Sequence, residues 1–460
     1  MNFHIFRDNS HQVPAIFGVT TRISHAKNAK KANVDAKKHP SALVAVFASF
    51  ALTNTPVAAA IVSFFVALAF VLFLDTASAL DYVQFKHHGK ERSEEGRIVF
   101  EEPGGFLLEA RDGQQYIIKK SDIISRRSDD VPFVRYTNAE MIERLQEEFP
   151  PNNGYNLDTR NDHFMIVYTT SKPFATWYGN LMQKVHEHYV LHWKRLGVEL
   201  TPPEFPMIVV VLSHKGDFRD YAKQDKVALA DDMCAYYHRL TNRIIVYDMT
   251  GQQAQREEDR RRLTSGEISR EMRTFLRQPN SDNNIRTIVH EAVHQIGFNT
   301  GMHPRTAPIP VWLCEGLALF HEVPNPNIAR VTIATNAWTP GPHVNHYRLA
   351  QLRKYLDKKH RESPFRLMIQ RGEGKSGDMK GDMLFRHTET ALDNYALAWG
   401  LTYYLVKKRP KELAAYLAMM QNKTHESEDT DEIRIKEFEK YFGSDWEQFH
   451  KDFSVFLQRL

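Results

Sequence analysis

Hydrophobic and polar positions along the chain predict a body in which strands and helices alternate and helices then take over. Continuous apolar runs bounded by polar or turn-forming residues predict strands at 163–169, 207–212 and 243–247. Amphipathic spacing predicts helices at 138–149 and 173–196. Toward the C-terminus the pattern favours helices alone. We therefore expect an α+β fold, in which a mixed β-sheet subdomain is followed by a mainly helical subdomain.

A small β domain is predicted ahead of this body, over residues 80–130. Its β-prone runs are short, and Pro103-Gly104-Gly105 and Asp112-Gly113 provide turns between them. A three-stranded meander or a tiny barrel would account for runs at 97–100, 105–109 and 115–119. The pattern does not indicate what this domain does.

The N-terminal segment predicts export. Residues 1–40 form a basic leader, expected to be disordered and cytoplasmic, with seven Lys and Arg against two Asp. The run Val57–Leu74 has 18 residues and no charge, which approaches the thickness of a bilayer core. Ala77-Ser78-Ala79 then fits a signal-peptidase site. An uncleaved transmembrane anchor at 41–79 and a cleaved signal segment both remain open, and either would place the body outside the cytoplasm.

The composition of the chain mainly excludes certain classes of protein and kinds of site. A chain of 460 residues that is 42% hydrophobic and 25% charged is in the ordinary globular range, which excludes collagen-like, coiled-coil and wholly disordered classes. The net charge of +4 comes from the leader, which alone contributes +5, so the body gives no reason to expect nucleic-acid binding. Only Cys234 and Cys314 occur, which excludes a disulfide scaffold and a four-cysteine zinc site. A bridge between them and two separate core thiols both remain open.

The residues most indicative of chemistry lie on a helix predicted at 281–299. Its broad apolar surface predicts burial, yet it includes His290, Glu291 and His294. A spacing of four residues places the two imidazoles on one face, about one turn apart, where both can reach one metal ion. Two structural histidines in a core helix are the alternative, since the short pattern His-Glu-x-x-His alone is not specific.

A second apolar helix is predicted at 311–322 and contains Glu315. Leu313, Leu317 and Ala318 surround this carboxylate in the pattern, and a lone carboxylate in such a place is costly unless it meets a cation. Glu315 lies 21 residues after His294, which gives a His-Glu-x-x-His motif followed by a glutamate.

This layout resembles the gluzincins, the thermolysin-like zinc metallopeptidases, over about residues 160–410, with 285–322 as its specific part. The form Trp312-Leu313-Cys314-Glu315-Gly316 is similar to that of exported bacterial proteins of unknown function with the same fold. The resemblance implies a metallopeptidase domain over 131–460 with the His-Glu-x-x-His helix at the junction of its two subdomains. It implies that Zn²⁺ is bound by His290, His294 and Glu315, and that Glu291 is the general base.

One feature departs from the pattern of the family, and a second extends the resemblance to it. The aspartate that the family places four residues after the third ligand is absent, because Leu319 occupies that position. The group that orients an imidazole must then come from elsewhere; Glu322 is a candidate, and a solvated helix-end charge is the alternative. Tyr395, on a helix predicted at 393–405, resembles the tyrosine that related folds place opposite the zinc and is expected to stabilise an oxyanion. An aromatic core position is the alternative for Tyr395, and His321 is a second candidate donor.

Three further segments have weaker patterns. The strand at Arg243–Tyr247 resembles the edge strand with which gluzincins hold an extended peptide, and an interior strand is the alternative. Residues 371–381 are expected to form a surface loop rather than a lid. His186 and His188 are two apart, cannot share a helix face, and are expected at the surface.

Together these features predict a zinc metallopeptidase that acts on a peptide or protein substrate, membrane-anchored or secreted into an extracytoplasmic space. An endopeptidase is favoured over an exopeptidase, because the aminopeptidase signature Gly-x-Met-x-Asn is absent. The alternative is a catalytically silent, zinc-containing binding module of the cell envelope, and hydrolysis of a substrate other than a peptide is a third reading. The sequence specifies neither the substrate nor the oligomeric state.

Overall fold

The structure, a computed structural model, describes residues 79–160, 163–227, 233–249, 281–323, 343–358, 360, 362–372, 380–387 and 389–460. The predicted leader at 1–40 and all but the last residue of the predicted membrane or signal segment at 41–79 lie outside this part. So do most residues of the loop predicted at 371–381. Within the described part, no helix combines the length and the apolar character that crossing a bilayer requires.

The described residues fall into two compact units. One comprises 79–108 and Ile117–Val134, and the other comprises Glu109–Tyr116 with the described residues of Arg135–Leu460.

Five strands, rather than the three expected, form the N-terminal sheet, in the order β4-β3-β2-β1-β5. The strands are β1 Ala79–His87, β2 Lys90–Glu102, β3 Gly105–Ala110, β4 Gln115–Lys119 and β5 Ile123–Pro132. The central strand β1 pairs antiparallel with both β2 and β5. Strand β5 escaped prediction because it is largely exposed and charged, so it lacks the apolar alternation that marks a half-buried strand.

A mixed five-stranded sheet forms the β part of the second unit, in the order β6-β7-β8-β10-β9. Its strands are β6 Asn156–Arg160, β7 Phe164–Tyr168, β8 Met207–Leu212, β9 Ala235–His238 and β10 Arg243–Tyr247. Strands β7, β8 and β10 run parallel, while β6 and β9 pair antiparallel at the two edges. The apolar runs predicted as strands are thus the three inner strands, as expected for strands covered on both faces.

The suggestion that Arg243–Tyr247 is the edge strand was wrong. This segment is β10 and lies between β8 and β9, so both of its sides are paired. Its continuous apolar centre at Ile244, Ile245 and Val246 is typical of an interior strand. The edge beside it is the four-residue strand Ala235–His238, which sequence analysis did not predict.

Helices make up the described C-terminal part of the chain, which confirms the α+β class with sheets first and helices last. They are α1 Asn138–Glu148, α2 Lys172–Arg195, α3 Lys215–Gln224, α4 Ser281–Asn299, α5 Val311–His321, α6 His346–Leu356, α7 Pro364–Ile369, α8 Ala391–Lys408, α9 Pro410–Gln421, α10 Asp431–Phe442 and α11 Trp446–Gln458. Local sequence sets several starts: Thr137 and Glu140 form a capping box for α1, and Ser171 caps α2 before a proline. One hydrophobic core joins α2, α4, α5 and α8 with the inner sheet face.

The histidines of α2 differ from the expectation of a surface position. His186 is buried against the rings of His163 and Phe164, and His188 is half-buried against the ring of His321. Their spacing does place them on different helix faces, but α2 is covered on more than one side. Burial consequently lowers the pKa of each of these two imidazoles to about 4, with the charges of His163 and of Arg195 adding to the effect at His186 and His188 respectively. Cys234 and Cys314 are both buried, and no disulfide joins them.

Candidate metal centre

The three predicted metal ligands converge at the packed pair of helices α4 and α5. His290 and His294 come from α4 and Glu315 from α5, and all three are buried. His290 Nε2 is 3.1 Å from His294 Nε2 and 3.1 Å from Glu315 Oε2. His294 Nε2 is 3.6 Å from Glu315 Oε1. Within the described residues, His290, His294 and Glu315 are the group whose ligand atoms lie close enough together to hold one metal ion.

These separations fit one small ion in the middle of the group. An ion that binds nitrogen and oxygen at about 2.0–2.1 Å in a tetrahedron places its ligand atoms about 3.3 Å apart. The separations of 3.1, 3.1 and 3.6 Å, of which the two to Glu315 are measured to different oxygens of its carboxylate, lie on either side of that value. Two imidazoles and one carboxylate also form a donor set that leaves a fourth position for a water or substrate oxygen. The residues present can therefore hold a metal ion.

The electrostatics at His290 favour positive charge. Burial opposes the charged imidazolium, but hydrogen bonds to Glu315 and Glu322 outweigh it and raise the pKa of His290 to about 10. In the metal-free protein this imidazole is protonated at neutral pH, and a bound metal ion would take the place of that proton. Two carboxylates around one imidazole thus prepare a cation site in the protein interior.

Glu322 contacts His290, one of the three residues that could hold a metal ion, as the sequence analysis considered for it. It follows the last residue of α5, is buried, and places Oε2 at 3.0 Å from His290 Nδ1. Its Oε1 accepts a hydrogen bond from Asn345 Nδ2 at 3.0 Å. Burial opposes ionisation of Glu322, yet the hydrogen bond with His290 and the charges of Arg348 and Arg286 hold its pKa below the usual range. Glu322 is therefore a buried partner of a ligand and not a solvated helix-end charge.

The predicted general base, Glu291, is buried next to the ligand His290 and contacts the sheet edge. Its Oε2 accepts a hydrogen bond from the backbone N–H of Tyr237, in β9, at 2.7 Å. The carboxylate is thus beside the ligand group, and Glu291 is not itself one of the three residues whose ligand atoms converge.

Tyr395 lies on α8 and is buried. Its ring packs edge-on against Phe385, with centroids 5.4 Å apart, and the guanidinium of Arg348 lies 5.5 Å from its centroid. Its role as an oxyanion donor stays a prediction. His321 packs against the rings of His188 and His192, and burial keeps its pKa well below the usual value, so this imidazole is neutral.

Sequence reasoning missed the partners that hold these side chains. Asn345 caps the start of α6, and its Oδ1 accepts from Arg348 N and Arg286 Nη1 while its Nδ2 binds Glu322. Tyr237 reaches Glu291 from a strand 54 residues earlier in the chain. An asparagine before a helix is a recognisable cap, but the residue it contacts across such a separation has no local pattern.

The chain is similar over residues 284–425 to a family described as "Protein of unknown function (DUF1570)". The matched segment is less than a third of the chain and includes His290, His294, Glu315 and Tyr395. No curated protein matches the chain. The family description names no activity, so the argument for function rests on the geometry of the site.

Proposed function

We propose that the protein is a zinc-dependent peptidase that cleaves peptide bonds outside the cytoplasm. The observation that carries this proposal is the buried convergence of His290, His294 and Glu315 with the carboxylate of Glu291 beside it. A purely structural metal site needs no carboxylate base next to its ligands, whereas hydrolysis does. The resemblance to the gluzincins supports the same reading.

In this proposal His290, His294 and Glu315 would hold the zinc ion. A zinc ion held there would supply Lewis acidity for a carbonyl oxygen and would lower the pKa of a water molecule. Glu291 accepts the proton of the attacking water at Oε1, while Tyr237 N–H holds Oε2, and it returns the proton to the leaving amine. Glu322 accepts from His290 Nδ1, which directs Nε2 toward the other ligands. Burial around these groups strengthens their charge interactions.

The first experiment measures metal content of the purified full-length protein by mass spectrometry, beside Glu315→Ala and the distant control Glu412→Gln. We expect about one zinc per chain in the wild type and in the control, and loss of zinc in Glu315→Ala. A well-folded wild type that takes up no added zinc would remove the metallopeptidase proposal.

The second experiment tests the chemistry with a library of fluorescence-quenched peptides whose termini are blocked. Glu291→Gln should retain zinc and lose hydrolysis, because it keeps the shape of the side chain and removes the base. Cleavage of peptides with blocked termini indicates an endopeptidase. Zinc-loaded wild type that cleaves no member of the library would instead favour the silent binding module.

A further inference from the structure

Glu291 is the first of three polar residues spaced four apart on α4, followed by Gln295 and Asn299. This spacing places the three side chains in one row along the helix. Glu291 Oε2 accepts from Tyr237 N at 2.7 Å, and Gln295 Nε2 donates to Asn242 O at 2.9 Å. Glu291 and Gln295 therefore bond the β9–β10 hairpin, residues 235–247, and Gln295 Nε2 also donates to Ile208 O of β8 at 3.0 Å.

Asn242 is the point at which the hairpin turn is attached to the last turn of α4. Its side-chain amide pairs reciprocally with that of Asn299, with Nδ2–Oδ1 distances of 2.8 and 2.7 Å in the two directions. Asn242 Oδ1 also accepts from the phenol of Tyr237 at 3.0 Å. The φ angle of Asn242 is 58°, in the left-handed region that asparagine tolerates better than most residues. The buried side-chain amide of Asn242 thus joins the hairpin turn to the edge strand β9 and to helix α4.

The direction of the Tyr237 N–H follows from the strand register. Tyr247 N donates to Cys234 O, and Ile245 faces Tyr236 while Ile244 faces Tyr237. Because hydrogen-bonded and non-hydrogen-bonded pairs alternate in an antiparallel ladder, the N–H of Tyr236 points to β10 and that of Tyr237 points away from it. Strand β9 is the sheet edge, and Glu291 accepts this outward N–H.

We propose that Asn242, Gln295 and Asn299 are positioning residues for hydrolysis. They fix the edge strand along the metal-binding helix so that the Tyr237 N–H holds the Glu291 carboxylate in place for proton transfer. The inference rests on the proposed function, since it assigns Glu291 the role of base. The contact itself is independent of metal, and it can be tested without turnover.

The first test measures hydrogen–deuterium exchange of single backbone amides in the full chain, both zinc-loaded and chelator-treated. We expect Glu291→Ala to accelerate exchange at Tyr237 by at least about tenfold and to leave Tyr236 unchanged, because the latter amide bonds β10. Glu291→Gln still offers an accepting oxygen and should keep most of the protection. Equal exchange at Tyr237 in wild type and Glu291→Ala would overturn the inference.

The second test separates positioning from folding. Asn299→Ala should lower kcat at least about tenfold, with KM within twofold and zinc content unchanged, since it disturbs the base and not the ligands. Asn422→Ala is the matched control: Asn422 also stands at a helix end and donates to the carbonyl four residues earlier, but it directly follows α9 and not α4. If Asn299→Ala does not fold, Asn242→Gly removes the amide pair from the same junction and suits the positive φ.

The outcomes distinguish this inference from the proposed function. Zinc-loaded, active protein in which Asn299→Ala and Asn242→Gly both keep wild-type kcat would overturn the positioning role and leave the peptidase intact. Protection of Tyr237 by Glu291 in a protein that holds no zinc and cleaves nothing would overturn the proposed function and the catalytic role of the row with it.

Discussion

Helices α5 and α8 touch at Gly316, directly after the ligand Glu315, and this contact makes Gly316→Ala an informative change. A Cβ at position 316 would overlap Thr402 Oγ1 and would lie 2.9 Å from the backbone oxygen of Ala398. The hydroxyl can turn away, but a helix carbonyl cannot. Every residue of α5 is buried, so the helix has little room to shift. Glycine is therefore required at position 316, because helix α8 lies too close to α5 at this point to leave room for a Cβ.

The expected cost follows from these distances. Ordinary van der Waals contact begins at 3.4 Å, so the two helices must separate by about 0.5 Å to relieve the Ala398 contact. Overpacking of this kind costs about 1–3 kcal/mol, while alanine gains up to about 1 kcal/mol over glycine in a helix interior. We expect a net loss of about 1–2 kcal/mol in the free energy of unfolding. Because metal ligands must sit within about 0.2 Å of their ideal distances, the same shift of Glu315 should weaken zinc binding.

Urea unfolding of metal-free protein measures the first effect, and competition with a chromogenic zinc chelator measures the second. Thr402→Ala in the Gly316→Ala background removes the overlap with Oγ1 and should restore part of the stability. Gly216→Ala is the control, because nothing lies within 4 Å of a Cβ added to that helical glycine. Gly316→Ala with wild-type stability would refute the packing argument, and the recovery on adding Thr402→Ala would measure how much of the cost comes from the Thr402 side chain.

Three further predictions follow from buried polar groups. Glu322→Gln should weaken zinc binding about 10- to 100-fold in the chelator titration. The carboxylate of Glu322 binds both His290 Nδ1 and Asn345 Nδ2, whereas the single oxygen of an amide can replace only one of its two oxygens. An unchanged zinc affinity would contradict this prediction. Burial lowers the pKa of His186 and His192 from 6.5 to about 4, so their neutral forms stabilise the fold fully above pH 6.5 and the effect is lost as pH falls toward 4. The free energy of unfolding measured with urea should decline as the pH falls from 6.5 toward 4, and a free energy that stays constant over this range would refute the prediction. Tyr395→Phe should lower kcat about 100-fold if the phenol stabilises an oxyanion, and an unchanged kcat would assign Tyr395 to the core.

The sequence predicted best those elements whose pattern is local. The strand at Met207–Leu212 and the helix at Ser281–Asn299 have the predicted bounds, because an apolar run and a helical period are each contained in the element itself. Strand Ala235–His238 was missed because four residues are too few to show a period. Its neighbour Arg243–Tyr247 was therefore taken as a possible edge, since only the pairing partner distinguishes an edge strand from an interior one.

The difference between local patterns and contacts of distant segments also applies within the candidate site. His290 and His294 share a helix face by their spacing, and the apolar surroundings of Glu315 mark it as a carboxylate that requires a partner. These three could be predicted together. The contacts of Glu291 with Tyr237 and of Glu322 with Asn345 join elements that are distant in the chain, so neither could be read from spacing.

Helix α4 belongs to the hydrophobic core and yet carries several buried polar side chains. A buried polar side chain is costly unless another group satisfies it, and each one here faces a specific partner. Glu291, Gln295 and Asn299 bond the edge-strand hairpin, whereas the Nε2 atoms of His290 and His294 turn toward each other and toward Glu315. A cation between two imidazole nitrogens and a carboxylate satisfies all three at once, and the row beside it holds the Glu291 carboxylate at the sheet edge. His290 and His294 lie on the same helix as the row but have separate partners, so Asn299→Ala should leave zinc affinity unchanged, and comparing Asn299→Ala, Glu315→Ala and the double variant would measure whether the two sets are coupled.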